Sequence, residues 1–182
     1  MPEKNRWPAA APLESERVQL EPLRIEHAAE AAPVLNDVRL HKWIGGMPPT
    51  EEELEQRYRR QVVGHSPDGR HGWLNWMLRE RATGQLIGTV QATLYPAGPD
   101  RVEAELAWTV GHDFQGVGYA KESALAMAHW VRAQGVSGCV AHVHPDHLAS
   151  AGIAAAVGMR PTDEVQDGEV LWADFELSER HR

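Results

Sequence analysis

The chain has 182 residues, 42% of them apolar and 24% charged, which is enough for one domain with a complete hydrophobic core and short for two. No apolar run approaches the roughly 20 residues of a membrane span, and a single cysteine, Cys139, excludes an internal disulfide framework or a cysteine-based zinc cluster. Eighteen basic against 26 acidic residues give a net charge of −8, a field that disfavours nucleic acid and anionic membrane as partners and favours cationic substrates such as amines.

The opening MPEKNRWPAAAPLE has no apolar h-region, so the expectation is a cytoplasmic protein with a loose Pro- and Ala-rich leader over residues 1–15. RVQLEP (17–22) alternates like a strand, and residues 25–35 read as a helix rich in Ala and Glu. Thr50 and Glu53 form a capping box that opens a helix through TEEELEQRYRRQVVG, ended by Gly64. After the turn-rich SPDGRHG, the segments WLNWMLRER and LIGTVQATLYP form a hairpin about Ala82-Thr83-Gly84-Gln85. AGPD then turns into RVEAELAWTV, a third strand in series. From Ala120 the residues Ala124, Met127, Ala128 and Val131 fall at helical spacing, with Gly135 as the stop. VSGCVAHVH is the next strand, in which Cys139 reads as a small buried hydrophobe rather than a nucleophile. HLASAGIAAAVG is a short helix stopped by Gly158, and GEVLWADFEL is the last strand.

This order predicts one mixed α/β domain over 16–178 with a charged tail at 179–182, and not a doubly wound sheet. Trp43, Trp73, Trp76 and Trp172 supply aromatic surface suited to core packing or to a homodimer contact, with packing the expected use.

Chemistry concentrates where a strand runs through Gln115-Gly116-Val117-Gly118-Tyr119-Ala120 into a long helix. Two glycines at such a turn let backbone N–H groups converge, and the helix dipole adds partial positive charge, so the turn suits a phosphate. It is not the dinucleotide fingerprint, because Lys121 stands where the third glycine would be, and no Gly-Lys-Ser/Thr follows as in a P-loop.

The segment resembles motif A of the GCN5-related N-acetyltransferases, Gln/Arg-x-x-Gly-x-Gly/Ala, met by Gln115, Gly118 and Ala120, with Glu122 also matching. GQLIGTV resembles that family's preceding motif strand, AELAWTVGHDFQGVGYAKESA its core strand and helix, and HLASAGIAAAVGMRPT its Asn-x-x-Ser helix. The similarity spans roughly residues 17–177, and the branch it most resembles contains the ribosomal-protein N-terminal acetyltransferases. The resemblance implies a mixed, mostly antiparallel sheet flanked by helices, with a splayed pair of central strands. It implies acetyl-CoA as co-substrate, its pyrophosphate on the amides of Gln115, Gly116, Val117, Gly118, Tyr119 and Ala120. The pantetheine arm would pair with the strand edge Ala107–Val110, which includes Trp108, and His147 would stand in the position of the family's asparagine at the pantetheine end.

An amine attacks a thioester only when neutral, yet a lysine-like amine has a pKa of about 10.4, so a base is needed. The resemblance implies Glu105 in AELAWTV, with Glu103, on the same strand face, as second choice. It implies the Val110 amide as oxyanion donor. The tyrosine with which many relatives protonate the thiolate is missing, since no tyrosine follows Tyr119, and Ser150 is the substitute. A catalytically degenerate module that binds coenzyme A is the alternative. The acceptor, a peptide N-terminus or a small cationic amine, is unspecified, because residues 23–75 match the family poorly.

HVHPDH (142–147) also spells the His142-x-His144-x-Asp146-His147 motif of metallo-β-lactamase-like zinc hydrolases. Those sites need further ligands over a long downstream chain, and here the only later histidine is His181. No metal is therefore expected, and His144 is a secondary candidate to relay the amine proton.

Overall fold

The computed structural model describes residues 7–177. In chain order these form β1 (Leu13–Glu14), β2 (Val18–Pro22), α1 (His27–Leu35), α2 (His41–Ile44), α3 (Glu51–Gln61), β3 (Gly72–Glu80), β4 (Leu86–Gly98), β5 (Arg101–Val110), α4 (Tyr119–Ala133), β6 (Gly138–Val143), α5 (Leu148–Val157), β7 (Arg160–Gln166) and β8 (Glu169–Ala173). The strands build one eight-stranded sheet in the order β1-β2-β3-β4-β5-β6-β8-β7. Every neighbouring pair is antiparallel except β5 with β6. This is the expected mixed, mostly antiparallel sheet flanked by helices.

Local chemistry sets the element ends. The Thr50 hydroxyl accepts the Glu53 N–H (3.2 Å) while the Glu53 carboxylate accepts the Thr50 N–H (2.8 Å), so the expected capping box opens α3. Alternation along β5 sends Ala104, Leu106 and Val110 into the large core beneath α4 and α5, where they meet Ala124, Met127, Val131 and Val157. On the opposite face α1 and α3 bury Ala28, Ala31, Leu54 and Tyr58 against Met77 and Leu86.

The sheet opens at its centre. β5 and β6 pair only at Glu103↔Gly138, Ala104↔Cys139 and Glu105↔Val140, although β5 continues to Val110 and β6 to Val143. Backbone direction follows from two bonds on either side: the Gly111 N–H donates to Ile87 on β4 (2.8 Å), whereas the Val102 carbonyl accepts the Ser137 N–H (2.8 Å) just ahead of β6. Odd-numbered residues of β5 therefore spend their backbone groups on β4, and even-numbered ones face β6. Past Glu105, Leu106, Trp108 and Val110 turn their N–H and C=O groups into the fork.

Three features differ from the sequence expectation. Residues 7–14 are packed rather than loose: Trp7 is 5% exposed, its indole N–H donates to the Gly69 carbonyl (3.0 Å), and Leu13–Glu14 pair with β2. β7 was not foreseen, because RPTDEVQ lies on the sheet's outer edge with exposed side chains and carries no apolar alternation. α2 is a single turn, too short for any periodicity. Among the described residues no helix is long and apolar enough to cross a membrane.

Candidate active site

The turn from β5 into α4 has the backbone its glycines permit. Gly116 and Gly118 have φ of +82° and +93°, a region that side chains disfavour. A Cβ on Gly116 would find nothing within 4 Å, so conformation rather than crowding requires the glycine there. Gly118 is the N-cap of α4 and supplies no side-chain cap, so the first-turn N–H groups are left available at the positive end of a 15-residue helix. Gln115 turns inward instead, its side-chain amide donating to the Val110 carbonyl (3.0 Å) and fixing the loop to the end of β5.

Arg17 braces the loop from outside. Its guanidinium donates to the Val117 carbonyl (2.9 Å) and the Glu122 carboxylate (2.8 Å), and lies 4.6 Å over the Tyr119 ring. Burial raises the Glu122 pKa, but the Arg17 N–H and Ser15 hydroxyl bonds, with the guanidinium, hold it below the usual carboxylate range. The Tyr119 hydroxyl donates to Glu80.

A cavity of about 540 Å³ lies against this turn. Trp108, Val110, Gln115, Gly116, Gly118, Tyr119, Ala120 and His147 all border it. Val117 does not: it is 55% exposed, and its carbonyl is engaged by Arg17.

A second cavity of about 610 Å³ adjoins the first. Trp43, Trp108, His147 and Ser150 border both. Trp43 stacks on His147, ring centroids 4.5 Å apart at 22°, and Lys42 lies 4.6 Å over the Trp43 ring. His147 is the N-cap of α5, its Nδ1 accepting the Ser150 N–H (3.4 Å). Burial foremost, then the nearby His144 and Lys42, lowers the His147 pKa, which favours the neutral ring that capping requires. The Ser150 hydroxyl accepts the Trp108 indole N–H (3.0 Å). An indole only donates, so that contact leaves the hydroxyl's own proton available.

Glu105 and Glu103 diverge in environment despite sharing a strand face. Glu103 is fully buried, accepts the Tyr95 hydroxyl (3.2 Å) and lies 3.6 Å from Arg101. Glu105 borders the second cavity and meets His142 Nδ1 at 2.9 Å. His142 was not singled out as its partner, and only the register reveals it: Glu105 is the last β5 residue paired with β6, and His142 is two residues beyond its partner Val140. Trp43 and Glu169, also on the cavity wall, carry no motif that sequence could have flagged.

The zinc-like run is dispersed. His142 turns to Glu105, His144 accepts the Asp146 N–H at Nδ1 (3.1 Å) and tilts against Trp43, and His147 caps α5. Among the described residues no group of three or more His, Cys, Asp or Glu side chains is gathered as for a metal. Burial pushes the Cys139 thiol up to about 12, which suits core packing and not nucleophilic attack.

Residues 17–160 match the profile of the acetyltransferase (GNAT) domain, and the chain belongs to that acetyltransferase family. Among solved structures it is similar to ribosomal-protein-S5-alanine acetyltransferase from Vibrio fischeri, at 19% identity and a TM-score of 0.75, covering 90% of this chain and 95% of that one. An acetyltransferase from Agrobacterium tumefaciens matches at 24% identity and a TM-score of 0.68, covering 96% and 99%. The microcin C7 self immunity acetyltransferase MccE, solved with acetyl-CoA and AMP, matches at 13% identity and 0.70, covering 87% and 92%. No curated protein matches the chain by sequence.

Proposed function

We propose that the protein transfers an acetyl group from acetyl-CoA to a primary amine by direct attack on the thioester. The observation that carries this reading is the fork: unpaired β5 backbone opens between the uncapped N-terminus of α4 and a cavity walled by Glu105 and His142. Acetyl-CoA supplies the acyl group. Gly116, Gly118, Tyr119 and Ala120 hold its pyrophosphate on backbone N–H groups, the Gln115 N–H being already given to the His112 carbonyl, and the even-numbered residues of β5 hold the pantetheine amides. His147 lines the pantetheine end of that cavity.

The second cavity receives the amine. Strand rise of about 3.3 Å per residue puts Trp108 about 10 Å and Val110 about 17 Å beyond Glu105. The Trp108 N–H is thus the better-placed oxyanion donor, and the Val110 N–H binds the arm. Ser150, bonded to the Trp108 indole, lies where the two cavities meet and donates a proton to the departing sulfur. Glu105 gives the acid–base end of the site its negative charge.

The acceptor is a cationic amine, a peptide N-terminus or a small molecule. The net charge of −8 and the carboxylates of Glu105 and Glu169 on the cavity wall support a cation, and the similar ribosomal-protein acetyltransferase supports the peptide class. Isothermal titration with acetyl-CoA, followed by thiol-release assays on peptides, polyamines and aminoglycosides, tests the reading. Saturable binding and a mass gain of one acetyl group on an amine are expected, and absence of binding would refute it.

A further inference from the structure

Within that acetyl-transfer reading, we infer that the group which takes the proton from the acceptor ammonium is His142, and that Glu105 acts on it as a positioning residue. His142 Nδ1 lies 2.9 Å from Glu105 Oε1. An ionised carboxylate can only accept, so in this contact Nδ1 carries the hydrogen, and in the neutral ring Nε2 keeps its lone pair. Both residues border the acceptor cavity, and the cross-strand diagonal at the end of the β5–β6 ladder fixes their spacing.

The chemistry favours the ring over the carboxylate as base. Imidazoles as a class are stronger bases than carboxylates, and so a closer match to the proton an ammonium must lose. The ionisable groups that share the cavity with His142 are Glu105 from β5, Glu169 from β8, Arg57 from α3, His41 from α2, His144 just past β6 and His147 at the N-cap of α5.

The step balances. Nε2 of His142 accepts one proton from the ammonium, and the freed nitrogen forms the C–N bond as the C–S bond breaks. The nitrogen's second proton goes to the thiolate through Ser150, and His142 returns its own to solvent.

The test uses the full chain with acetyl-CoA and, as acceptors, a serine-terminated peptide, spermidine and kanamycin. pH–rate profiles are compared for wild type, His142→Gln and Glu105→Gln, alongside acetyl-CoA titrations of each and nitrogen-15 NMR of the histidines. His142→Gln is expected to lower kcat by about 100-fold or more and to remove the limb of the wild-type profile that reports the base, with acetyl-CoA affinity unchanged. Glu105→Gln is expected to move that limb to lower pH and to cost less. NMR of the wild type should find His142 protonated at Nδ1 and bare at Nε2. Wild-type rates and limb in His142→Gln, or a proton on Nε2 in the neutral ring, would overturn the inference while leaving acetyl transfer intact. Failure of wild type to bind acetyl-CoA would remove the reading beneath it as well.

Discussion

The Trp108 indole N–H donates to the Ser150 hydroxyl across 3.0 Å, tying β5 to α5 over the open part of the sheet. In the proposed reading this one contact joins the strand whose backbone receives the pantetheine arm with the serine that protonates the leaving sulfur. Ser150→Ala is expected to lower kcat by about 100-fold while acetyl-CoA affinity holds. The half-buried indole loses its acceptor, at a cost of about 1 kcal/mol that a melting curve will register. An unaltered kcat would assign the thiolate's proton to another donor.

Gly118 tests the proposed phosphate cradle. A Cβ there would lie 3.2 Å from the Arg17 guanidinium on a backbone with φ of +93°, and a carboxylate would enter the field that attracts phosphate. Gly118→Glu is expected to weaken acetyl-CoA by at least about tenfold, on the order of 1.4 kcal/mol, with an unchanged far-ultraviolet spectrum. Titration calorimetry decides it, and wild-type affinity would exclude the turn as the pyrophosphate site.

The packed leader makes a stability prediction. Trp7 covers Gly72 so closely that a Cβ on the glycine would come within 2.7 Å of the indole. Trp7→Ala is expected to cost about 3–5 kcal/mol, read from urea denaturation. Gly72→Ala must displace the same ring and should destabilise in the same direction.

His27 sets a pH dependence. It is 1% exposed; Nδ1 accepts the Arg24 N–H (3.0 Å), so Nε2 is protonated and donates to Glu21 (3.1 Å). Burial foremost lowers its pKa, with Arg24 adding to this and the Glu21 bond working against it. The unfolded histidine, near 6.5, then binds protons more readily than the folded one. Its stabilisation is complete above that value and is lost as pH falls through the folded value. Glu21 and Glu30, held low by bonds from Arg79, lose theirs at more acid pH. His27→Gln is expected to cost about 2 kcal/mol at pH 7, lowering Tm by about 4–8 °C, and to flatten the wild-type decline in Tm from pH 7 to 5. A decline of the same slope in the variant would assign it to other groups.

Legibility from sequence followed the kind of force at work. Thr50 with Glu53 and the terminal glycines after α4 and α5 act within a few residues, so their signals are local and the helices were readable. β3, β4 and β5 were readable because each is bounded by turn residues and carries apolar side chains into the core. β7 escaped because neither face of it is buried, and α2 because a single turn has no period. At the site, the turn at 115–120 was legible as a local motif, but the Glu105–His142 pair and the Trp43 stack on His147 are products of strand register and of a loop folding back. No spacing in the chain encodes either.

The alternation along β5 has a further consequence. Glu105, at an odd position, sends its carboxylate to the second cavity, and even positions carry the backbone donors that face the fork. In the proposed reading one strand serves two ligands through two sets of atoms, a side chain for the acceptor and backbone groups for the donor. A one-residue insertion ahead of Glu105 that slipped the register would swing its carboxylate into the apolar layer under α4 and turn the fork-facing amides toward β4. The amides of Glu105, Ala107 and Thr109 would take their place at the fork, so the slip would remove the acceptor carboxylate and spare the backbone donors, whereas lengthening the hairpin beyond the ladder at Gly98 and Arg101 would leave both untouched.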